Sequence, residues 1–123
     1  MLLKDFYIVN SFENTDGRKY VATITLNKNH EVFKGHFPGN PVTPGVCMMQ
    51  IIKELTQQAL NTQLTMKSAS NIKFMALINP EINPLLRIEL DIAVADDGAV
   101  KVKNTSYFED TVALKLSCIY SKN

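Results

Sequence analysis

Apolar and polar residues alternate near both ends of the chain, and this alternation predicts strands. Residues Lys4 to Val9 form a short strand-like run, and Arg18 to Asn29 places apolar residues at every second position. The stretch Asn14 to Gly17, which reads NTDG, is a turn signal between the two runs. The chain is therefore expected to open with a β-hairpin.

One long helix is predicted from about Pro44 to Leu60, where no helix breaker interrupts the sequence. Thr43 is the expected N-cap, and Pro44 suits the first helical position because its missing N–H needs no partner there. The apolar side of this helix consists of Met48, Ile51, Ile52, Leu55 and Ala59. Polar residues follow one another at steps of four, three and four, at Gln50, Glu54, Gln57 and Asn61. A single polar stripe thus runs along an apolar helix.

Strand patterns return after the helix and continue almost to the last residue. The four runs span residues 68–78, 85–95, 99–109 and 111–121. Short turns separate the last three of them. Because an antiparallel sheet that covers one apolar helix must curl around it, these elements predict an α+β fold. The whole chain, residues 1–123, is expected to form a single domain.

Composition and charge narrow the possible functions. The 123 residues are 46% hydrophobic and carry a formal net charge of +1, without the basic stripe that nucleic-acid binding usually needs. No apolar segment approaches the ~20 residues of a membrane span, and the first residues do not resemble a secretion signal. We therefore expect a cytoplasmic protein that binds neither nucleic acid nor membrane.

The two cysteines and the first histidine are expected to have structural roles. Cys47 and Cys118 lie far apart and outside any CxxC pair, so buried thiols are expected, with a disulfide or a reactive thiol as the alternatives. His30 follows a strand and has no motif around it, which places it on the surface.

The segment from Gly35 to Gly45 contains three glycines and three prolines, a density that predicts an irregular loop. Extended by two residues at the front and one at the end, it reads FKGHFPGNPVTPGV. This motif resembles the loop F-x-G-H-F-P-G-x-P-x-x-P-G-V of the hotdog-fold 3-hydroxyacyl-acyl-carrier-protein dehydratases of the FabZ and FabA type. The matching residues are Phe33, Gly35, His36, Phe37, Pro38, Gly39, Pro41, Pro44, Gly45 and Val46. The later segment NIKFMALINP is similar to a second stretch of that family.

The resemblance implies a hotdog fold, in which the sheet wraps around one central helix. It also implies a homodimer or a trimer of dimers whose active sites lie between subunits, and a substrate carried as a thioester of acyl carrier protein or coenzyme A. No metal and no cofactor are expected. In the family a helix acid stands fourteen residues after the loop histidine, where this chain has Gln50 instead. Glu54, one turn later, occupies the place of the family's glutamine, so the pair looks exchanged.

Dehydration of a 3-hydroxyacyl thioester assigns a role to each candidate residue. His36 is the candidate base for the α-proton, since a neutral imidazole suits this step near neutral pH. The backbone N–H groups of Gly45 and Val46 lie at the positive start of the helix, where they can stabilise the enolate oxygen. Phe37 is assigned to substrate binding with them. Gln50 and Glu54 complete the predicted catalytic set.

Because residue 50 is a glutamine, the group that protonates the leaving hydroxyl is open. An amide can hold a hydroxyl by hydrogen bonds but cannot act as an acid. Either His36 takes the proton from the α-carbon and also gives it to the leaving hydroxyl, or Glu54 is a displaced acid whose side chain reaches back and bonds to Gln50. The alternative interpretation of the pair is the solvated side of an amphipathic helix.

Three functions fit these residues. The first is dehydration of 3-hydroxyacyl thioesters to trans-2-enoyl thioesters in the synthesis of fatty acids or related acyl chains. The second is a non-catalytic partner or acyl-binding subunit, which the substitution at position 50 suggests. The third is a hotdog thioesterase, against which the histidine loop argues.

Overall fold

A computed structural model describes residues 4–34 and 41–123. Six strands and two helices follow one another along the chain: β1 (Tyr7–Asp16), β2 (Lys19–Leu26), α1 (Glu31–Lys34), α2 (Gly45–Leu60), β3 (Leu64–Phe74), β4 (Leu85–Val94), β5 (Val100–Phe108) and β6 (Thr111–Lys122). The strands form one sheet in the order β1-β2-β4-β5-β6-β3, and every neighbouring pair is antiparallel. The α+β arrangement predicted from the sequence is confirmed.

The hydrophobic core lies between α2 and one face of the sheet. In β4 and β5, buried residues alternate with exposed or half-buried ones over most of each strand, because successive side chains of a strand point to opposite faces. Of the predicted apolar residues, Met48, Ile51, Ile52 and Leu55 are almost completely buried in this core, and Ala59 is half-buried against it. The central helix therefore has the orientation that the spacing of its apolar residues predicts.

The bounds of two strands, β1 and β3, differ most from the prediction. β1 begins at Tyr7 and continues to Asp16, beyond the predicted end at Val9. Most of its residues are exposed, so it has little alternation for a sequence pattern to reveal, and its pairing with β2 defines its length. Similarly, β3 spans Leu64–Phe74 rather than residues 68–78, because it pairs with β6 along that range.

The start of α2 also differs from the prediction. Pro44 is the N-cap, with an extended backbone at φ −62° and ψ 145°, and no side chain caps the helix. Thr43 is not the N-cap, since its backbone N–H donates to the Ile78 carbonyl at 2.8 Å and holds it against another segment. The Thr43 hydroxyl is buried and has no hydrogen-bond partner among the described residues. The helix thus begins at Gly45, one residue later than expected.

The remaining structural predictions have mixed outcomes. The short helix α1 was not predicted, since four residues are too few for a periodic pattern. Cys47 and Cys118 are both buried and form no disulfide, as expected. His30 is half-buried rather than on the surface, and its ring packs edge-on against Phe6. Within the described ranges, no helix is long and apolar enough to cross a membrane.

The end of α2 depends on the left-handed backbone of Asn61, whose φ is 52° and ψ 47°. Its N–H donates to the Gln57 carbonyl and closes the last turn. We expect Asn61→Ala to lower the free energy of unfolding by about 1 kcal/mol, because a Cβ is disfavoured in this conformation. Asn61→Gly, which has no Cβ, serves as the control and should be close to neutral. Urea denaturation measures both variants, and equal losses would contradict this explanation.

Candidate active site

The side chains of Gln50 and Glu54 meet on one side of α2. Gln50 Nε2 donates a hydrogen bond to Glu54 Oε2 at 2.9 Å, and both residues are half-buried. The bond predicted from their spacing of four residues is confirmed, because side chains at i and i+4 lie on the same side of a helix. The pair is therefore not a freely solvated stripe.

A third residue, Tyr7, joins this pair from the start of β1. Its hydroxyl donates to Glu54 Oε1 at 2.8 Å, so the two carboxylate oxygens each accept a hydrogen bond. Burial, and after it the hydrogen bond and the charge of Glu54, raise the pKa of Tyr7 well above its usual range. The phenol is thus a permanent hydrogen-bond donor at neutral pH. The sequence contains no signal for this contact, since 47 residues separate Tyr7 from Glu54.

The start of α2 supplies the backbone groups expected to bind an oxyanion. The N–H groups of Cys47 and Met48 donate to the Pro44 carbonyl. Gly45 and Val46 precede them in the first turn, where N–H groups lack an acceptor within the helix. Val46 is 67% exposed, so this end of the helix is accessible in the isolated chain. The structure places both residues at a helix start, and their role in binding stays a prediction.

A groove of about 430 Å³ opens beside this helix start. It is mostly apolar and is lined by residues of α2, of β3, of β6 and of the neighbouring loops: Val42, Thr43, Pro44, Gly45, Val46, Met48, Met49, Ile72, Phe74, Ala76, Leu77, Ile78, Ala113 and Leu114. The two methionines suit an irregular apolar ligand because their side chains adapt their shape. The groove is therefore a candidate site for an acyl chain whose thioester lies at the helix start.

In this groove, the ring of Phe74 lies directly against Gly45. A Cβ added to Gly45 would lie 2.5 Å from Phe74 Cζ, closer than two carbon atoms can approach without movement. Phe74 is the last residue of β3 and is 58% exposed. A glycine at this position thus lets the aromatic ring rest directly on the first turn of α2.

Two candidates from the loop motif, His36 and Phe37, lie outside the described residues. Their assignments as base and as substrate-binding residue remain predictions from the sequence. In the described ranges, no group of three His, Cys, Asp or Glu side chains is placed to hold a metal ion.

The antiparallel sheet, its central helix and the groove at the helix start define a hotdog-fold protein. The fold matches the dehydratase heterocomplex ApeI:P from Xenorhabdus doucetiae with a TM-score of 0.73 over 93% of this chain and 96% of that one, at 19% identity. It also matches a putative thioesterase from Lactococcus lactis with a TM-score of 0.74 over 99% and 98% of the two chains, at 12% identity. At such low identities these matches establish the fold alone.

Residues 12–114 match the family model described as ApeI-like, ApeI dehydratase. The chain belongs to this family of hotdog dehydratases. It is also 29% identical over 108 residues to the 3-hydroxyacyl-acyl-carrier-protein dehydratase FabZ of Lactobacillus helveticus, covering 82% of this chain and 72% of the relative. Identity to the same enzyme of Zymomonas mobilis is 32% over 106 residues, covering 79% and 66%. The family resemblance inferred from the loop motif is confirmed.

Proposed function

We propose that this protein dehydrates 3-hydroxyacyl thioesters carried by acyl carrier protein, giving trans-2-enoyl thioesters in the synthesis of fatty acids or related acyl chains. The observation that carries the proposal is the helix start, where Gly45 and Val46 line an apolar groove directly after the dehydratase-type loop. This arrangement supports the proposal that the two N–H groups bind the oxyanion while the groove holds the acyl chain. The FabZ relatives support the choice of reaction and of carrier.

The proposed reaction assigns one step to each group. His36 removes a proton from the α-carbon of the thioester, and the N–H groups of Gly45 and Val46 stabilise the negative charge that develops on the carbonyl oxygen. The bond between the β-carbon and the hydroxyl oxygen then breaks. The hydroxyl leaves with the abstracted proton as water, and a double bond forms between the α- and β-carbons. Phe37 contributes to the binding of the substrate beside His36.

The test of this function is the reversible hydration of a 2-enoyl thioester, followed by loss of its ultraviolet absorbance. Acyl carrier protein and coenzyme A thioesters should be compared, and we expect the carrier-protein substrate to have the higher kcat/KM. Release of free thiol without change in the double bond would identify a thioesterase instead. Absence of both reactions, in the purified protein alone, would contradict the proposal.

A second candidate function is that of a partner subunit in a mixed dimer. The substitution of Gln50 for the helix acid favours it, and one structural neighbour is described as a dehydratase heterocomplex. The protein would then show no turnover alone and would become active with a relative that carries the acid. Gain of activity in Gln50→Glu, in an otherwise inactive chain, would also support this function.

We also propose that the active form is a homodimer or a trimer of dimers in the cytoplasm. The strand β3 lies at the edge of the sheet, and exposed apolar residues cluster at its end and just beyond it: Ile72, Phe74, Met75 and Leu77. An unpaired strand edge with apolar side chains favours association with another chain.

We expect the protein to elute at twice its chain mass of 13.8 kDa or at a higher even multiple. Met75→Lys should shift it toward the monomer, because a charge replaces an apolar side chain on the proposed interface. Ile82→Lys, at an apolar residue outside the strands that is more exposed than Met75, is the control and should not change the mass. Light scattering after gel filtration measures all three proteins, and an unshifted Met75→Lys variant would exclude this edge as the interface.

A further inference from the structure

The contacts of Glu54 determine which way the Gln50 amide is turned. An ionised carboxylate accepts hydrogen bonds and has none to donate, so the group that Gln50 presents to it must be the NH₂. The 2.9 Å contact between Gln50 Nε2 and Glu54 Oε2 satisfies this requirement. Since the nitrogen and the oxygen of an amide lie on opposite sides of its carbon, Gln50 Oε1 faces away from Glu54. No group in the described ranges donates a hydrogen bond to this oxygen.

Tyr7 holds the other side of the same carboxylate. Its hydroxyl donates to Glu54 Oε1, and its ring packs against the core at the start of β1. A side chain on a strand and one on a helix thus hold Glu54 between them. Hydrogen bonds to a charged acceptor are among the stronger ones in proteins. The position of Glu54 therefore depends on Tyr7. Through Glu54, the orientation of the Gln50 amide also depends on Tyr7.

We propose that Tyr7 and Glu54 are positioning residues that hold Gln50 with its amide oxygen toward the substrate, so that this oxygen accepts a hydrogen bond from the 3-hydroxyl group. This inference rests on the proposed dehydratase function. The bond to Gln50 Oε1 fixes the orientation of the hydroxyl group. His36 then delivers the α-proton to that oxygen, the bond to the β-carbon breaks, and water leaves. Glu54 transfers no proton in this scheme, and its carboxylate acts by orienting the amide.

Enzyme kinetics with a carrier-protein thioester test the role of Tyr7. Tyr7→Phe keeps the ring and removes the hydroxyl, and we expect kcat to fall about tenfold with KM changed less than about twofold. The matched control is Tyr107→Phe, since the Tyr107 hydroxyl also donates to a glutamate, Glu89 Oε1 at 3.3 Å, on β4 of the sheet. The control should keep the kinetics of the wild type. Equal kinetics for both variants and the wild type would overturn the role of Tyr7.

Two substitutions of Glu54 separate orientation from acid catalysis. Glu54→Gln keeps an oxygen that accepts from Tyr7 or Gln50, so kcat should stay within about tenfold of the wild type. Glu54→Leu removes both acceptors, so kcat should fall about 100-fold. In the double variant, adding Tyr7→Phe to Glu54→Leu should lower kcat by less than a further twofold. A loss in Glu54→Gln as large as that in Glu54→Leu would show that the carboxyl group itself transfers the proton, which would overturn the inference.

If the wild type shows no turnover, the proposed function has failed and kinetics do not test the orientation of Gln50. An NMR measurement then tests that orientation separately. The side-chain NH₂ signals of Gln50 are assigned in a nitrogen–proton NMR spectrum from their absence in Gln50→Leu. We expect one of the two protons to exchange slowly with water in the wild type and quickly in Glu54→Leu. Two rapidly exchanging protons in the wild type would overturn the proposed orientation.

Discussion

Replacement of His36 by alanine is expected to lower kcat/KM for the hydration of a 2-enoyl thioester by about 10²–10⁴-fold, the usual contribution of a general base. With Gln50 in place of the helix acid, the proposed reaction assigns both proton transfers to His36. The loss should therefore lie toward the upper end of that range. The glycines and prolines in the sequence around His36 predict a loop rather than a core position, so we expect the variant to keep the stability of the wild type.

The control for this experiment is the other histidine of the chain. His30 lies outside the motif, and its ring nitrogens contact the backbone of Lys4 and Val32 at 2.9 and 3.1 Å. His30→Asn should lose some stability and keep kcat/KM within about twofold, since it lacks a role in the reaction. Activity that persists in His36→Ala would remove the proposed base and, with it, the proposed mechanism.

The largest expected effect on stability comes from Leu55→Ala. Leu55 is completely buried on the apolar side of α2, next in sequence to Glu54. Removal of its side chain leaves a cavity between helix and sheet, and the free energy of unfolding should fall by about 3 kcal/mol. Urea denaturation at one fixed protein concentration measures the change, since the proposed association of the chains would also contribute to stability.

A leucine with an exposed side chain provides the matched control. Leu85 stands at the start of β4 and is 55% exposed, so Leu85→Ala should cost less than about 0.5 kcal/mol. Equal losses in the two variants would mean that the core is not where the structure places it. A Leu55→Ala variant that keeps its stability would have the same meaning.

Local patterns in the sequence predict the helix and the hairpins of the second half of the chain. The apolar spacing of α2 defines its buried side, and the short turns define the ends of β4, β5 and β6 within a few residues. The contact between Gln50 and Glu54 is also local, since one helical turn connects them. Each of these features depends on residues that are close in the sequence, so the sequence alone was enough to predict them.

Features that depend on pairing between distant segments were missed. The ends of β1 follow from its register with β2, in which Tyr7 faces Leu26 and Asp16 faces Lys19. The same pairing brings Tyr7 to Glu54, a contact that no spacing in the sequence indicates. Thr43 failed as an N-cap for a similar reason, because a backbone bond to Ile78 holds it away from the helix. Pairing between distant segments thus places Tyr7 beside Glu54.

The contact between Phe74 and Gly45 links the edge of the sheet to the first turn of α2. In the proposed function, a thioester in the groove would share space with this ring, and in the proposed dimer a second chain that pairs with β3 would also meet it. The proposed association and the proposed substrate binding would therefore involve the same side chain. By thermodynamic reciprocity, any change that subunit association makes in the affinity for the thioester is matched by an equal effect of the thioester on association.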